Sequence, residues 1–255
     1  MVALLSVGLG GVLALTAYAD PLAVAAAVAV AQLVWASVVF QGPVVPAPRT
    51  AWVVVALGGI AATVVTAWPD LLAGFDGSAA GESVRQSSGT LMGIAPGAAL
   101  VVLGAMLREM IRRGRRTGVT ASVAMTVTVG VCGALLAAWA AAAKTDAGDQ
   151  IVLIAACAVV VTVVVWSLPG PRWLIAPVAV LGGTAAAVGV RLLAADPVEL
   201  SIGVGLGAVG ALLAASGRGI AANLVPDPSR RLAVDVVLPL VFVGPIAFWT
   251  GQLFT

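Results

Sequence analysis

Residues 151–168 read IVLIAACAVVVTVVVWSL, eighteen positions without a single Asp, Glu, Lys or Arg. A membrane-spanning helix needs about 20 consecutive, mostly apolar residues. Asp149 precedes the run and Arg172 follows it, so a charge of opposite sign marks each end. Working outward, the same grammar repeats along the chain. Nine apolar stretches can be read, at Val2–Tyr18, Leu22–Phe40, Ala51–Trp68, Leu91–Leu107, Val119–Ala143, Ile151–Leu168, Trp173–Leu193, Val198–Ser216 and Leu232–Phe254. The reading predicts an all-α fold, a polytopic transmembrane helix bundle of about nine spans forming one integral membrane domain over residues 1–255.

Composition agrees. Of 255 residues, 61% are hydrophobic and 9% charged, against about 25% charged in a soluble domain. The mean hydropathy is +1.13. Nine spans with short connections use nearly the whole chain. Arg outnumbers Lys twelve to one, and Ala, Val and Gly dominate, a bias associated with GC-rich bacterial genomes. The net charge of +2 does not point to nucleic acid, because the Arg residues flank apolar spans.

Loop charges set the expected orientation. The even-numbered connections carry Arg49; Arg108, Arg112, Arg113, Arg115 and Arg116; Arg172; and Arg218, Arg230 and Arg231, ten of the thirteen basic residues. The odd-numbered ones carry Asp20; Asp70, Asp76 and Glu82; Asp146 and Asp149; and Asp196 and Glu199, eight of the eleven acids. Arg85, Lys144 and Arg191 are the basic exceptions. Lys- and Arg-rich loops stay cytoplasmic, which places the N-terminus inside and the C-terminus outside a bacterial cytoplasmic membrane. A rival reading takes Ala17-Tyr18-Ala19 as a signal-peptidase site, which would leave eight spans, although no Lys or Arg precedes that apolar core. Trp52 and Trp68 bracket the third span about 24 Å apart, and Trp139, Trp166, Trp173 and Trp249 also fall near span ends, as interfacial anchors do.

Little is left for chemistry. There is no His, which removes His-based zinc sites and Ser-His-Asp triads. Cys132 and Cys157 fall inside apolar spans and read as small apolar side chains. Gly205, Gly207 and Gly210 spell GxGxxG, but within a span, where close helix packing is the expected use. Gly203 and Gly207 form GxxxG, so the Gly/Ala faces could also join copies or other chains. Gln32 sits mid-span and should bond a neighbouring helix. Arg191 can snorkel, or pair with Asp196 or Glu199. The cluster Arg108, Arg112, Arg113, Arg115 and Arg116 is expected to contact anionic lipid, with Glu109 paired to Arg113 one helical turn on. The final polar segment, Gly217-Arg218-Gly219 through Asn223, Asp227, Arg230 and Arg231 to Asp235, is the candidate headgroup site. There Asp235 is expected in a helix first turn within reach of Arg231.

Those residues also carry a resemblance. From Leu107 to Phe254 the chain resembles the phosphatidate cytidylyltransferase (CDP-diacylglycerol synthase) family. Asn223-Leu224-Val225-Pro226 is similar to the family's Asn-Leu-Ile-Pro element, Asp235 falls on the first signature Asp ten residues before Pro245, and Val243-Gly244-Pro245 resembles the Ala-Ala-Pro step. The resemblance implies carboxylates holding metal ions that bridge CTP and phosphatidate. Yet Asp227-Pro228-Ser229-Arg230-Arg231-Leu232 stands where the family has Gly-His-Gly-Gly, and Leu238 stands at the second signature Asp. Val163-Val164-Val165-Trp166 replaces an Asn-Asp pair, and Ala214 a Gly-Asp. With one signature carboxylate left, the resemblance implies a member without catalysis: no catalytic residue, metal or cofactor is assigned, and membrane lipids are the expected partners. Two other readings are a small permease for an apolar solute or lipid, and a lipid-headgroup transferase using Asp227, Arg230, Arg231 and Asp235. The first is weakened because no Asp, Glu, Lys or Arg is central in any span.

Overall fold

A computed structural model describes residues 2–40, 48–68, 71, 91, 93–112, 118–193, 199–224 and 228–253, in backbone only at 2, 38, 48, 221–224 and 228–233. Every regular element longer than a turn among them is an α-helix: α1 (Val2–Ala19), α2 (Pro21–Val39), α3 (Pro48–Ala67), α4 (Ile94–Ile111), α5 (Val119–Leu135), α6 (Ala137–Ala142), α7 (Gly148–Trp166), α8 (Arg172–Leu193), α9 (Leu200–Leu224) and α10 (Pro228–Gly251). Among the described residues, seven stretches are long and apolar enough to cross a membrane: Arg49–Ala67, Ile94–Ile111, Val119–Ala142, Gly148–Trp166, Arg172–Leu193, Leu200–Ile220 and Val234–Gly251. Two shorter apolar stretches, Ala3–Ala19 and Pro21–Ser37, precede them. This is the architecture of a multi-pass, all-helical membrane protein. Val-rich runs such as α7 have modest helix propensity in water. In an apolar medium each backbone N–H and C=O must bond within its own segment, and that requirement overrides propensity.

The described helices sort into two compact units, residues Val28–Ala137 and residues Met1–Ala27 with Ala138–Thr255. In the first, α3 and α4 run antiparallel and approach through small residues. A Cβ built on Gly97 would lie 2.6 Å from Ala62 Cβ and 2.7 Å from the Gly58 carbonyl, so only glycine allows this spacing. Gly118, at φ +74°, starts α5 from the left-handed region. Two side chains on one face of α2 reach the backbone of α5. Trp35 Nε1 donates to the Val129 carbonyl at 2.9 Å, and Gln32 Nε2 donates to the Gly133 carbonyl at 3.0 Å. Thr63 Oγ1 donates to Gln32 Oε1 at 3.0 Å, so both ends of the buried amide are satisfied. Just beyond, the ladder tightens: Leu136 N–H donates to Gly133 O at 3.3 Å, and the α5–α6 run steps there while remaining one apolar stretch.

In the second unit α7 is the hub, touching α1, α8, α9 and α10. It is the most apolar run of the chain, as a helix enclosed by others should be. Gly207 of α9 packs on Ala187 and Thr184 of α8, and Gly203 lies under the aliphatic stem of Arg191. The GxxxG face is therefore used inside this unit, and the formal GxGxxG lies wholly in a helix. Trp139 is fully buried, and its Nε1 donates to the Leu240 carbonyl at 2.9 Å. A Cβ on Gly244 would come within 2.9 Å of the indole, so glycine makes room for the ring. Trp139 is thus a core residue and not the interfacial anchor expected, whereas Trp68 and Trp173 are 50% and 75% exposed.

The connection around Arg218, read from the sequence as a loop, is helical, and the helical extension expected at Glu109 is present. Gly217-Arg218-Gly219 continues α9 as far as Leu224, and Arg108 to Ile111 complete α4. Both stretches hold because their Arg side chains find partners on neighbouring helices. At the first connection Asp20 caps α2, accepting Leu22 N–H on Oδ1 at 2.8 Å with Pro21 in the first helical position. Arg113, Arg115 and Arg116, the long 69–90 connection apart from Leu71, and Asp196 lie outside the described residues.

Candidate functional site

Among the described residues two charged clusters are buried, one in each unit. In Val28–Ala137 the N-terminus of α3, the C-terminus of α4 and the N-terminus of α5 carry one cluster together. The antiparallel run of α4 between α3 and α5 brings Arg108 of α4 beside Thr50 of α3 and Ser122 of α5. Arg108 Nε donates to Thr50 Oγ1 at 3.0 Å, and its Nη1 to Ser122 Oγ at 3.0 Å and Thr126 Oγ1 at 3.3 Å. The same Nη1 pairs with Glu109 Oε1 at 3.1 Å. Ser122 Oγ donates to Glu109 Oε1 at 2.7 Å, and Arg112 Nη1 pairs with Glu109 Oε2 at 3.2 Å. Both carboxylate oxygens are thereby engaged, and three hydroxyls replace the water that the guanidinium of Arg108 has lost.

Helix ends favour this placement. Cationic side chains sit at the C-terminus of α4, and the Glu109 carboxylate faces the first turn of α5, each matching the local dipole. The side chains of Arg108 and Glu109 are each 5% exposed, while that of Arg112 is 21% exposed. Of the expected lipid-contacting arginines, Arg108 is thus folded into the protein and Arg112 stands at the rim. Glu109 pairs with Arg108 and Arg112; its expected partner Arg113 lies outside the described residues. A cleft of about 430 Å³ opens beside the cluster, walled by Val53, Val54, Leu107 and Ile111 with Arg108 and Arg112 at its polar end.

In the other unit Arg218 Nη1 of α9 pairs with Asp235 Oδ2 of α10 at 3.0 Å, and both side chains are 7% exposed. Arg218 Nη2 also reaches Ser167 Oγ at 3.5 Å, at the C-terminal end of α7. Asp235 lies two turns inside α10, which begins at Pro228, and not in its first turn. The dipole therefore acts on it weakly; it pairs with Arg218, and the side chain of Arg231, its expected partner, falls outside the described residues. Of the remaining headgroup candidates, Asn223, Arg230 and Arg231 lie in helices but their side chains fall outside the described residues, as does the whole of Asp227. Among the described residues no three His, Cys, Asp or Glu side chains come together as a metal site. Cys132 and Cys157 are half-buried free thiols.

Sequence reasoning placed Arg218 and Asp235 in one polar segment and Arg108, Glu109 and Arg112 in one basic stretch, but missed the partners that bury them. The available signal was a Ser and a Thr one turn apart in α5, Ser122 and Thr126, on a helix next to Arg108; only the pairing of helices gives it meaning. No family model matches the chain, and neither a curated protein nor a solved structure matches it.

Proposed function

We propose that the chain is a non-catalytic membrane protein of cytidylyltransferase-like architecture, acting in lipid or envelope biology through binding or assembly. It crosses a bacterial cytoplasmic membrane nine times as one integral domain, with its N-terminus in the cytoplasm. One observation carries the reading. Asp235, the only carboxylate on the signature positions of the resemblance, is buried in an ion pair with Arg218 at 3.0 Å. A carboxylate neutralised by a guanidinium is a poor ligand for a metal ion, because binding the ion would leave the buried Arg218 charge without its partner. The orientation rests on the ten basic residues of the even-numbered connections.

Purified protein incubated with CTP, Mg²⁺ and phosphatidate should form no CDP-diacylglycerol. Robust product formation that disappears in Asp235→Ala would overturn the reading. For orientation, a cysteine placed in the 113–117 connection should be shielded from an impermeant thiol reagent in intact cells, and labelling there would reverse the topology.

A further inference from the structure

We infer that the cleft beside Arg108, Glu109 and Arg112 is a binding site for a single anionic phospholipid. Its phosphate would sit at Arg112, and one acyl chain would lie along Val53, Val54, Leu107 and Ile111. This deepens the lipid-binding reading above and rests on it.

The walls say which medium the cleft meets. Val53, Leu107 and Ile111 are 44%, 56% and 75% exposed, on helices long and apolar enough to cross a membrane. Side chains of that kind face hydrocarbon, so the natural occupant of a groove between them is an alkyl chain. The cleft volume of about 430 Å³ lies within the range of small-molecule sites.

The polar end decides the headgroup. Two guanidinium groups and one carboxylate leave an excess positive charge there, and the exposed Arg49 adds another at the same end of α3. Arg108 is fixed by Thr50, Ser122 and Thr126, and so cannot swing out to meet a ligand without abandoning three hydrogen bonds. Its place is to hold Glu109, which in turn holds Arg112 at the rim. A zwitterionic headgroup would bring its own cation against that excess charge; an anionic one brings none. Basic pockets between helix ends at the cytoplasmic interface are known settings for anionic headgroups.

The test uses the full chain in neutral detergent, titrated with phosphatidylglycerol or with phosphatidylcholine of identical acyl chains, and read by native mass spectrometry. Phosphatidylglycerol should be retained in preference, as one lipid per chain. Arg112→Gln should weaken that retention about fivefold, the effect expected of one arginine near a charged lipid. Leu107→Trp, which fills the groove from an exposed position, should weaken retention of both lipids while the helical circular dichroism stays unchanged. Equal retention of the two lipids by the unaltered chain overturns the site. So does an undiminished preference in both variants, but that outcome leaves lipid binding standing elsewhere on the chain, and the two failures are told apart. Formation of CDP-diacylglycerol in the separate assay bears on the absence of catalysis and not on this cleft.

Discussion

The two buried clusters solve the same problem differently. Arg218 of α9 pairs with Asp235 of α10, and Ser167 Oγ at the end of α7 lies 3.5 Å from Arg218. Arg108 and Glu109 sit in a lattice with Thr50, Ser122, Thr126 and Arg112 drawn from three helices. The first is a pair that ties α9 to α10. The second is a platform: it keeps one charge immobile inside so that another, Arg112, can be presented at an edge. A salt bridge between two helices is replaceable by apolar packing in principle, whereas replacing Arg108 and Glu109 together takes from Ser122 Oγ both the donor and the acceptor it uses here.

That contrast can be broken by substitution, with stability read from unfolding midpoints in detergent. Glu109→Ala should be the most damaging, since it removes the carboxylate that pairs with both Arg108 and Arg112 and accepts from Ser122 Oγ. A loss of about 3–5 kcal/mol is expected, and a loss below about 1 kcal/mol would deny the platform its role. Arg218→Met should lose about 3 kcal/mol by removing the guanidinium paired with the buried Asp235 carboxylate. The double change Arg218→Met with Asp235→Leu should recover most of that loss. The matching double change Arg108→Met with Glu109→Leu should not, remaining about 2 kcal/mol down because Ser122 Oγ loses both its Arg108 donor and its Glu109 acceptor. Equal recovery in both doubles would erase the distinction.

Smaller effects test how each unit is packed around its cluster. Gly97→Ala places a methyl 2.6 Å from Ala62 Cβ, forces α3 and α4 apart and should lose about 1–3 kcal/mol. It should also weaken retention of phosphatidylglycerol, because those two helices wall the cleft. Trp139→Phe keeps the buried ring but removes the donor to the Leu240 carbonyl, and should lose about 1 kcal/mol in the other unit without touching lipid retention. A change in lipid retention in Trp139→Phe would show that the two regions are coupled.

Much of the architecture was legible in the chain. The apolar runs became helices nearly where they were read, and Gln32 found bonds on neighbouring helices as a mid-span amide must. In the GxGxxG stretch Gly207 packs closely against α8, while Gly205 has nothing within 4 Å of where a Cβ would stand. The misreadings share one cause. Arg108, Arg218 and the glycines around Arg218 look like loop residues because, taken singly, a charge or a glycine marks the end of a span. Trp139 looks like an anchor because an indole near a span end is ordinarily one. In each case a partner far along the chain changes the outcome: Ser122 and Thr126 for Arg108, Asp235 for Arg218, the Leu240 carbonyl for Trp139.

By itself the sequence determined that this chain is a set of apolar helices with opposite charges at alternate ends. Burial of long uncharged runs is a property of each segment, and backbone satisfaction in an apolar medium leaves helix as the answer. Tertiary structure alone decided which charges face outward and which are enclosed. That depends on which helix ends lie side by side, and no local pattern in Arg108, Glu109 and Arg112 records that Thr50 and Ser122 stand beside them to replace their water.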